Sequence, residues 1–179
     1  MATLLVVHHS PTRPMEALLQ ACLDGAHDDE IDGVEVVVKD ALEATADDVL
    51  AAHGYVLGTT ANFGYMSGAL KHFFDSTFLA VGGALGDDGQ GAGASGPKKP
   101  FGLYVHGRYD TTGAVRSVHG IVQALGWEQS FGDVEVLGEG VVRLLRLELL
   151  EGRAGDVGVE QADTGDGPGV LEQLARRDL

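Results

Sequence analysis

YVLGTTANFGYMSGALKHFFD, residues Tyr55 to Asp75, joins a short buried-strand pattern to a small-residue loop and then to an amphipathic helix. That is the layout of a ligand-binding edge in an open α/β sheet. The apolar run Tyr55-Val56-Leu57 opens into Gly58, Thr59, Thr60, Ala61, Asn62, Phe63 and Gly64, a loop with free backbone amides, two hydroxyls and one exposed ring. Such a surface suits a flat heteroaromatic ligand. Ser67 is placed to cap the following helix, and Leu70, Phe73, Phe74 and Thr77 recur at spacings that give it one face to bury. Asn62, the sole asparagine of the chain, is expected to take a left-handed backbone in the loop.

Outward from this segment the pattern alternates. Strands are expected at Thr3–His8, Val34–Lys39, Tyr55–Gly58, Phe101–Val105 and Val134–Leu137, and helices at Met15–Ala26, Thr45–Ala52, Ser67–Thr77 and Ala114–Leu125. Strand and helix in alternation imply a parallel sheet with right-handed crossovers and helices on both faces. Leu18, Leu19, Cys22 and Leu23 share one face of the first helix, so Cys22 reads as core and not as a reactive thiol.

In such a sheet the loops after the first, third and fourth strands converge beyond the carboxyl ends of the strands. The first, His9-Ser10-Pro11-Thr12-Arg13-Pro14-Met15, runs into a helix amino terminus with two hydroxyls, one guanidinium and several amides, an outline phosphate cradle. The fourth-strand loop brings Gly107, Arg108, Tyr109, Asp110 and two threonines. Phosphate at one end and a flat ring at the other describe a mononucleotide.

Composition narrows the partners. A formal charge of −15, with four lysines and eight arginines in 179 residues, argues against nucleic acid or an anionic membrane. One cysteine excludes an intrachain disulfide and points to a reducing, cytoplasmic setting. No apolar run approaches the ~20 residues that cross a bilayer, and the amino terminus enters a strand pattern directly, so a soluble protein is expected.

With these residues in view, the chain resembles a flavodoxin-like FMN protein of the NAD(P)H-dependent FMN reductase and quinone reductase group over about Thr3 to Leu137. GTTANFGYMSGALKHFFD is similar to that group's G-T-P-x-x-x-G-x-M-S-x-x-x-K-x-F-x-D segment, YVHGRYDTTGAV to its second ring-contacting loop, and HHSPTRPM more loosely to its phosphate loop. The resemblance implies a three-layer doubly wound α/β sheet of five parallel strands in the order 2-1-3-4-5. It assigns Ser10, Thr12, Arg13 and Met15 to the phosphate. Thr59, Thr60, Ala61, Asn62, Phe63, Gly64, Tyr65 and Met66 would meet the ring, and Gly107, Arg108, Tyr109 and Asp110 would close its other side. FMN would be the cofactor, NADH or NADPH the electron donor and a quinone or free flavin the acceptor, in a homodimer or larger homo-oligomer. No protein nucleophile is required, since the flavin carries the chemistry. The alternative of another class is a flavodoxin-type electron carrier without intrinsic NAD(P)H turnover.

The chain departs from the group in two places. Pro14 removes one amide from the phosphate loop, although proline is tolerated in a first helical turn. Residues 1–140 would form the FMN-binding domain with a flexible glycine-rich insertion at 82–97, whereas 141–179 is atypical: either Val170–Arg177 is a sheet-covering helix or the segment is partly disordered. Two sharper-looking signals are discounted. Gly91-Ala-Gly-Ala-Ser-Gly96 fits a dinucleotide fingerprint but neither follows a strand nor opens a helix, and His8, His9 and His106 lack any known metal-ligand spacing, so no metal is expected.

Overall fold

A computed structural model describes residues 1–82 and 98–138. Strand β1 (Ala2–His8) leads through a short loop into helix α1 (Arg13–Ala26), followed by β2 (Val34–Asp40), α2 (Ala46–Ala51) and β3 (Gly54–Asn62). A two-residue strand β4 (Tyr65–Met66) precedes α3 (Gly68–Thr77), after which come β5 (Pro100–Gly107), α4 (Thr112–Ala124), β6 (Glu128–Gln129) and β7 (Val134–Leu137). Most of the glycine-rich insertion expected at 82–97, and the whole of the 141–179 segment with its Val170–Arg177 helix, lie outside the described residues. No helix among the described residues is long and apolar enough to cross a membrane.

The sheet runs β2-β1-β3-β5, all parallel, and its last position beyond β5 is shared by β6 and β7. Counted by position this is the expected order 2-1-3-4-5, with the fifth strand broken. The break has a packing reason. Phe131 leaves the edge and lays its ring over Gly102, so closely that a Cβ there would stand 2.3 Å from the ring.

The near-continuous apolar runs of β1, β3 and β5 are explained by burial on both faces. Leu5, Val7, Tyr55, Leu57, Phe101, Leu103 and Val105 face α2, α3 and α4 in one core. Leu4, Val6, Val56 and Tyr104 face α1, which contributes Met15, Leu18, Leu19, Cys22 and Leu23. Burial pushes the Cys22 thiol up to about 11, in keeping with a packing role. Ser67 accepts the Leu70 amide at the start of α3, and Thr45 and Asp48 form a reciprocal capping box on α2.

Several boundaries differ from the sequence-based expectation, each for a local reason. α1 begins at Arg13, two residues early, since proline is accommodated at a second helical position. α4 begins at Thr112, whose amide donates to the Asp110 carboxylate at 3.0 Å. β3 continues to Asn62, because Ala61 and Asn62 pair with Met66 and Tyr65 in a tight hairpin. That hairpin also corrects the role of Asn62. The positive φ angles fall on Phe63 (53°) and Gly64 (76°), the two central residues of a turn whose twist demands both.

Candidate functional site

The loops after β1, β3 and β5 meet at the carboxyl edge of the sheet around a cleft of about 550 Å³. Thr12 and Pro14 come from the first loop, Thr60, Ala61 and Asn62 from the end of β3, and His106, Gly107, Arg108 and Tyr109 from the end of β5, with Gly138 closing one side. Asn62, Arg108 and Tyr109 are solvent-exposed at its mouth, whereas Thr60 and Gly107 are buried at its base.

Alternation along β3 separates two neighbouring threonines by function. The Thr59 hydroxyl is fully buried, donates to the Thr60 carbonyl at 3.0 Å and accepts the Ser67 amide at 3.0 Å, so it ties β3 to the start of α3. Thr60 points the other way, and its Oγ1 is buried without a hydrogen-bond partner. A buried hydroxyl left unsatisfied costs about 1–3 kcal/mol, and this one lines the cleft.

The hairpin tip stores strain beside the cleft. Phe63 holds a left-handed backbone with its ring fully exposed, a combination that costs an L-residue roughly 1–2 kcal/mol with no burial to offset it. Gly113, in the first turn of α4, braces the hairpin from behind: a Cβ there would lie 2.0 Å from the Gly64 carbonyl oxygen. Only a glycine permits that approach.

On the opposite wall Gly107 is equally constrained. An added Cβ would meet the Asp110 carbonyl and the Thr111 methyl at 2.9 Å and the Ala61 methyl at 3.1 Å. The Asp110 carboxylate is exposed and engaged with Thr112, whose hydroxyl and amide hold it below the usual carboxylate range. Arg108 Nε donates to the Tyr109 hydroxyl at 2.9 Å, so the guanidinium stands beside that ring. Thr111 Oγ1 bonds Glu135 and anchors the loop to β7.

Of the sixteen residues singled out from sequence, the cleft gathers Thr12, Thr60, Ala61, Asn62, Gly107, Arg108 and Tyr109. Ser10, Arg13, Phe63, Gly64, Tyr65 and Asp110 belong to the same three connecting segments but do not line it. Met15 and Met66 have their side chains in the two cores, so Met15 can offer a ligand its amide alone. Thr59 is engaged as described. Three further residues line the cleft: Pro14, read from sequence only as withholding an amide, His106, weighed there only as a metal ligand, and Gly138, not singled out at all. His106 Nε2 donates to the Gly138 carbonyl at 2.8 Å. The pairing of β7 with the end of β5 carries that contact, and no local motif announces it.

No family model matches the chain. A flavodoxin of Aquifex aeolicus (strain VF5) is 35% identical over 75 residues, a match that spans 42% of this chain and 40% of that protein's length. Among solved structures, a flavodoxin of Streptococcus pneumoniae TIGR4 superposes with a TM-score of 0.58 at 19% identity, covering 98% of this chain and 96% of the other. An NADPH-quinone reductase from P. pentosaceus gives a TM-score of 0.52 at 12% identity, covering 87% of this chain and all of that one (100%). Together with the strand order and the helices on both faces of the sheet, these likenesses establish that the chain has a flavodoxin-like fold.

Proposed function

We propose that the chain binds FMN in this cleft and acts as an NAD(P)H-dependent oxidoreductase, passing electrons to a small acceptor such as a quinone or free flavin. The observation that carries the reading is the partnerless Thr60 hydroxyl at the base of a cleft walled by the three loops. A polar group on the ligand's ring edge would satisfy it. The cleft volume falls within the roughly 300–1,000 Å³ of small-molecule sites.

The residues present fit such a ligand in type and position. The amides of Arg13 and Met15 and the Arg13 guanidinium, at the positive end of α1, would hold a phosphate against the acidic field of the chain. Thr60, Ala61 and Asn62 would meet the ring edge, and the exposed Phe63 and Tyr109 rings would flank its faces. The chemistry supplied by bound FMN is electron transfer between a nicotinamide donor and an acceptor. The protein's part is to orient the ring, to exclude water on the β5 side through Gly107 and its loop, and to leave one side accessible to substrates. A homodimer or larger assembly in a cytoplasmic setting belongs to the same proposal.

Two observations favour a second reading. One curated relative is a flavodoxin, and a net charge of −15 suits docking to a redox partner. An electron carrier would bind FMN but turn over little NAD(P)H.

The deciding experiment is the visible spectrum of the protein loaded with FMN, freed of excess flavin and mixed with NADPH or NADH without oxygen. Retained yellow flavin that bleaches rapidly is the expected result. Flavin that is retained but stays oxidised would assign the carrier role, and no retention would remove both readings.

The strained tip gives an independent check. Phe63→Asn creates Asn-Gly, the favoured pair for this turn, and is expected to stabilise the free protein by up to about 1 kcal/mol, or roughly 2–4 °C in Tm. The same variant should bind FMN more weakly, because a ring face is lost. A variant that gains stability and keeps full affinity would show that Phe63 is not a ligand contact.

A further inference from the structure

We propose that the Tyr104 hydroxyl donates a hydrogen bond to the anionic end of the ligand at the start of α1, making Tyr104 a positioning residue that favours a phosphorylated over an unphosphorylated flavin. The proposal rests on the FMN reading above. It begins from register: His8 pairs with Gly58 and Gly58 with Tyr104, so the three stand in one row across β1, β3 and β5 with side chains on the α1 face. Since Gly58 has no side chain, the Tyr104 ring lies across β3 toward β1. A Cβ on Gly58 would be 2.1 Å from Cζ and 2.2 Å from the hydroxyl oxygen.

The phenol tip is thereby carried beneath the first residues of the β1–α1 loop. Gly58 is also the residue whose carbonyl accepts the His9 amide at 3.0 Å. The Ser10 hydroxyl, 3.1 Å from His8 Nδ1, is near enough to influence the Tyr104 ionisation, yet the two hydroxyls do not meet in the geometry of a formed hydrogen bond. Tyr104 is 5% exposed and its hydroxyl has no partner. His9 Nδ1, at the start of the same loop, is likewise buried and unpartnered.

A phenylalanine would fill the same space without an orphaned hydroxyl, so packing alone does not account for tyrosine here. The local chemistry does. Pro14 occupies the second position of α1 and withholds an amide from the helix amino terminus. A donor rising from the strand floor replaces it. Burial raises the Tyr104 pKa above its ordinary value, so the phenol keeps its proton and remains a donor near neutral pH.

The test is Tyr104→Phe, with Kd for FMN and for riboflavin measured by quenching of flavin fluorescence, and Tm measured on the ligand-free protein. FMN binding is expected to weaken on the order of tenfold, as for loss of one charge-assisted hydrogen bond, while riboflavin binding stays within about twofold of wild type. The ligand-free Tm should hold or rise, since a buried unsatisfied group is removed. An unchanged ratio of FMN to riboflavin affinity, whether both hold or both weaken together, would overturn the proposal. Wild-type protein that binds neither flavin would overturn the FMN reading and this inference with it, which separates the two failures.

Discussion

Gly107→Val is expected to lower flavin affinity by roughly ten- to a hundredfold, the binding equivalent of the about 1–3 kcal/mol that overpacking costs in a well-filled site. The side chain has no free space to enter. Two of its three nearest neighbours belong to the 107–111 loop and the third is Ala61 at the end of β3, so the cleft wall on one side or the other must move. Gly107 also accepts the Gly138 amide at 2.8 Å, which ties any shift to the remaining edge of the cleft. Gly120→Ala is the matched control: Gly120 lies on α4 with nothing within 4 Å of an added Cβ, and better helix propensity should stabilise the protein by up to about 1 kcal/mol without touching affinity. Flavin retention unchanged in a natively folded Gly107→Val protein would move the ring out of this cleft.

The sequence announced the fold through signals that depend on near neighbours. The 3.6-residue spacing of Leu70, Phe73, Phe74 and Thr77, the Thr45 and Ser67 caps and the apolar runs of β1, β3 and β5 all matched the structure. What escaped were features made by pairing at a distance. The loop expected from Gly58 to Gly64 is mostly strand, because Gly58, Thr59 and Thr60 continue the parallel ladder with Tyr104, Val105 and His106, and Ala61 and Asn62 pair with Met66 and Tyr65. Asn62 has the composition of a left-handed residue but sits in the ladder, while phenylalanine carries the strain. In the candidate site, chemistry-bearing residue types were visible one loop at a time. Their accessibility was not, since it depended on which face each residue took: Thr59 inward and Thr60 to the cleft, Met15 and Met66 into the cores. Tyr104 passed for an ordinary strand residue, because its reach depends on Gly58, distant in sequence but its register partner on the neighbouring strand.

Trp127→Ala is expected to remove about 3–5 kcal/mol of stability, the usual range for truncating a large buried aromatic, and to leave the flavin Kd within about twofold. Trp127 follows Gly126, whose φ of 73° ends α4. The Gly126 amide bonds the Gln123 carbonyl at 3.1 Å and the Trp127 amide the Val122 carbonyl at 3.0 Å, a paired helix stop that fixes where the indole points. There it stacks on Tyr55 with ring centroids 3.8 Å apart and planes 15° from parallel. Tyr55 in turn donates to the Val49 carbonyl at 2.8 Å, and Lys99 lies over the Tyr55 ring while donating to the Ala52 carbonyl at 2.7 Å. One indole therefore supports the junction of α2, β3, β5 and α4. Tyr55 pairs with Phe101 near the amino ends of β3 and β5, and Thr60 with His106 near their carboxyl ends, so this plug and the cleft occupy opposite edges of the sheet. Denaturant unfolding and flavin titration, run below the transition of the variant, separate the two properties. A loss under about 1 kcal/mol would show that the stack is not part of the cooperative core, and a large change in flavin affinity at retained fold would show that the two ends of the sheet are coupled.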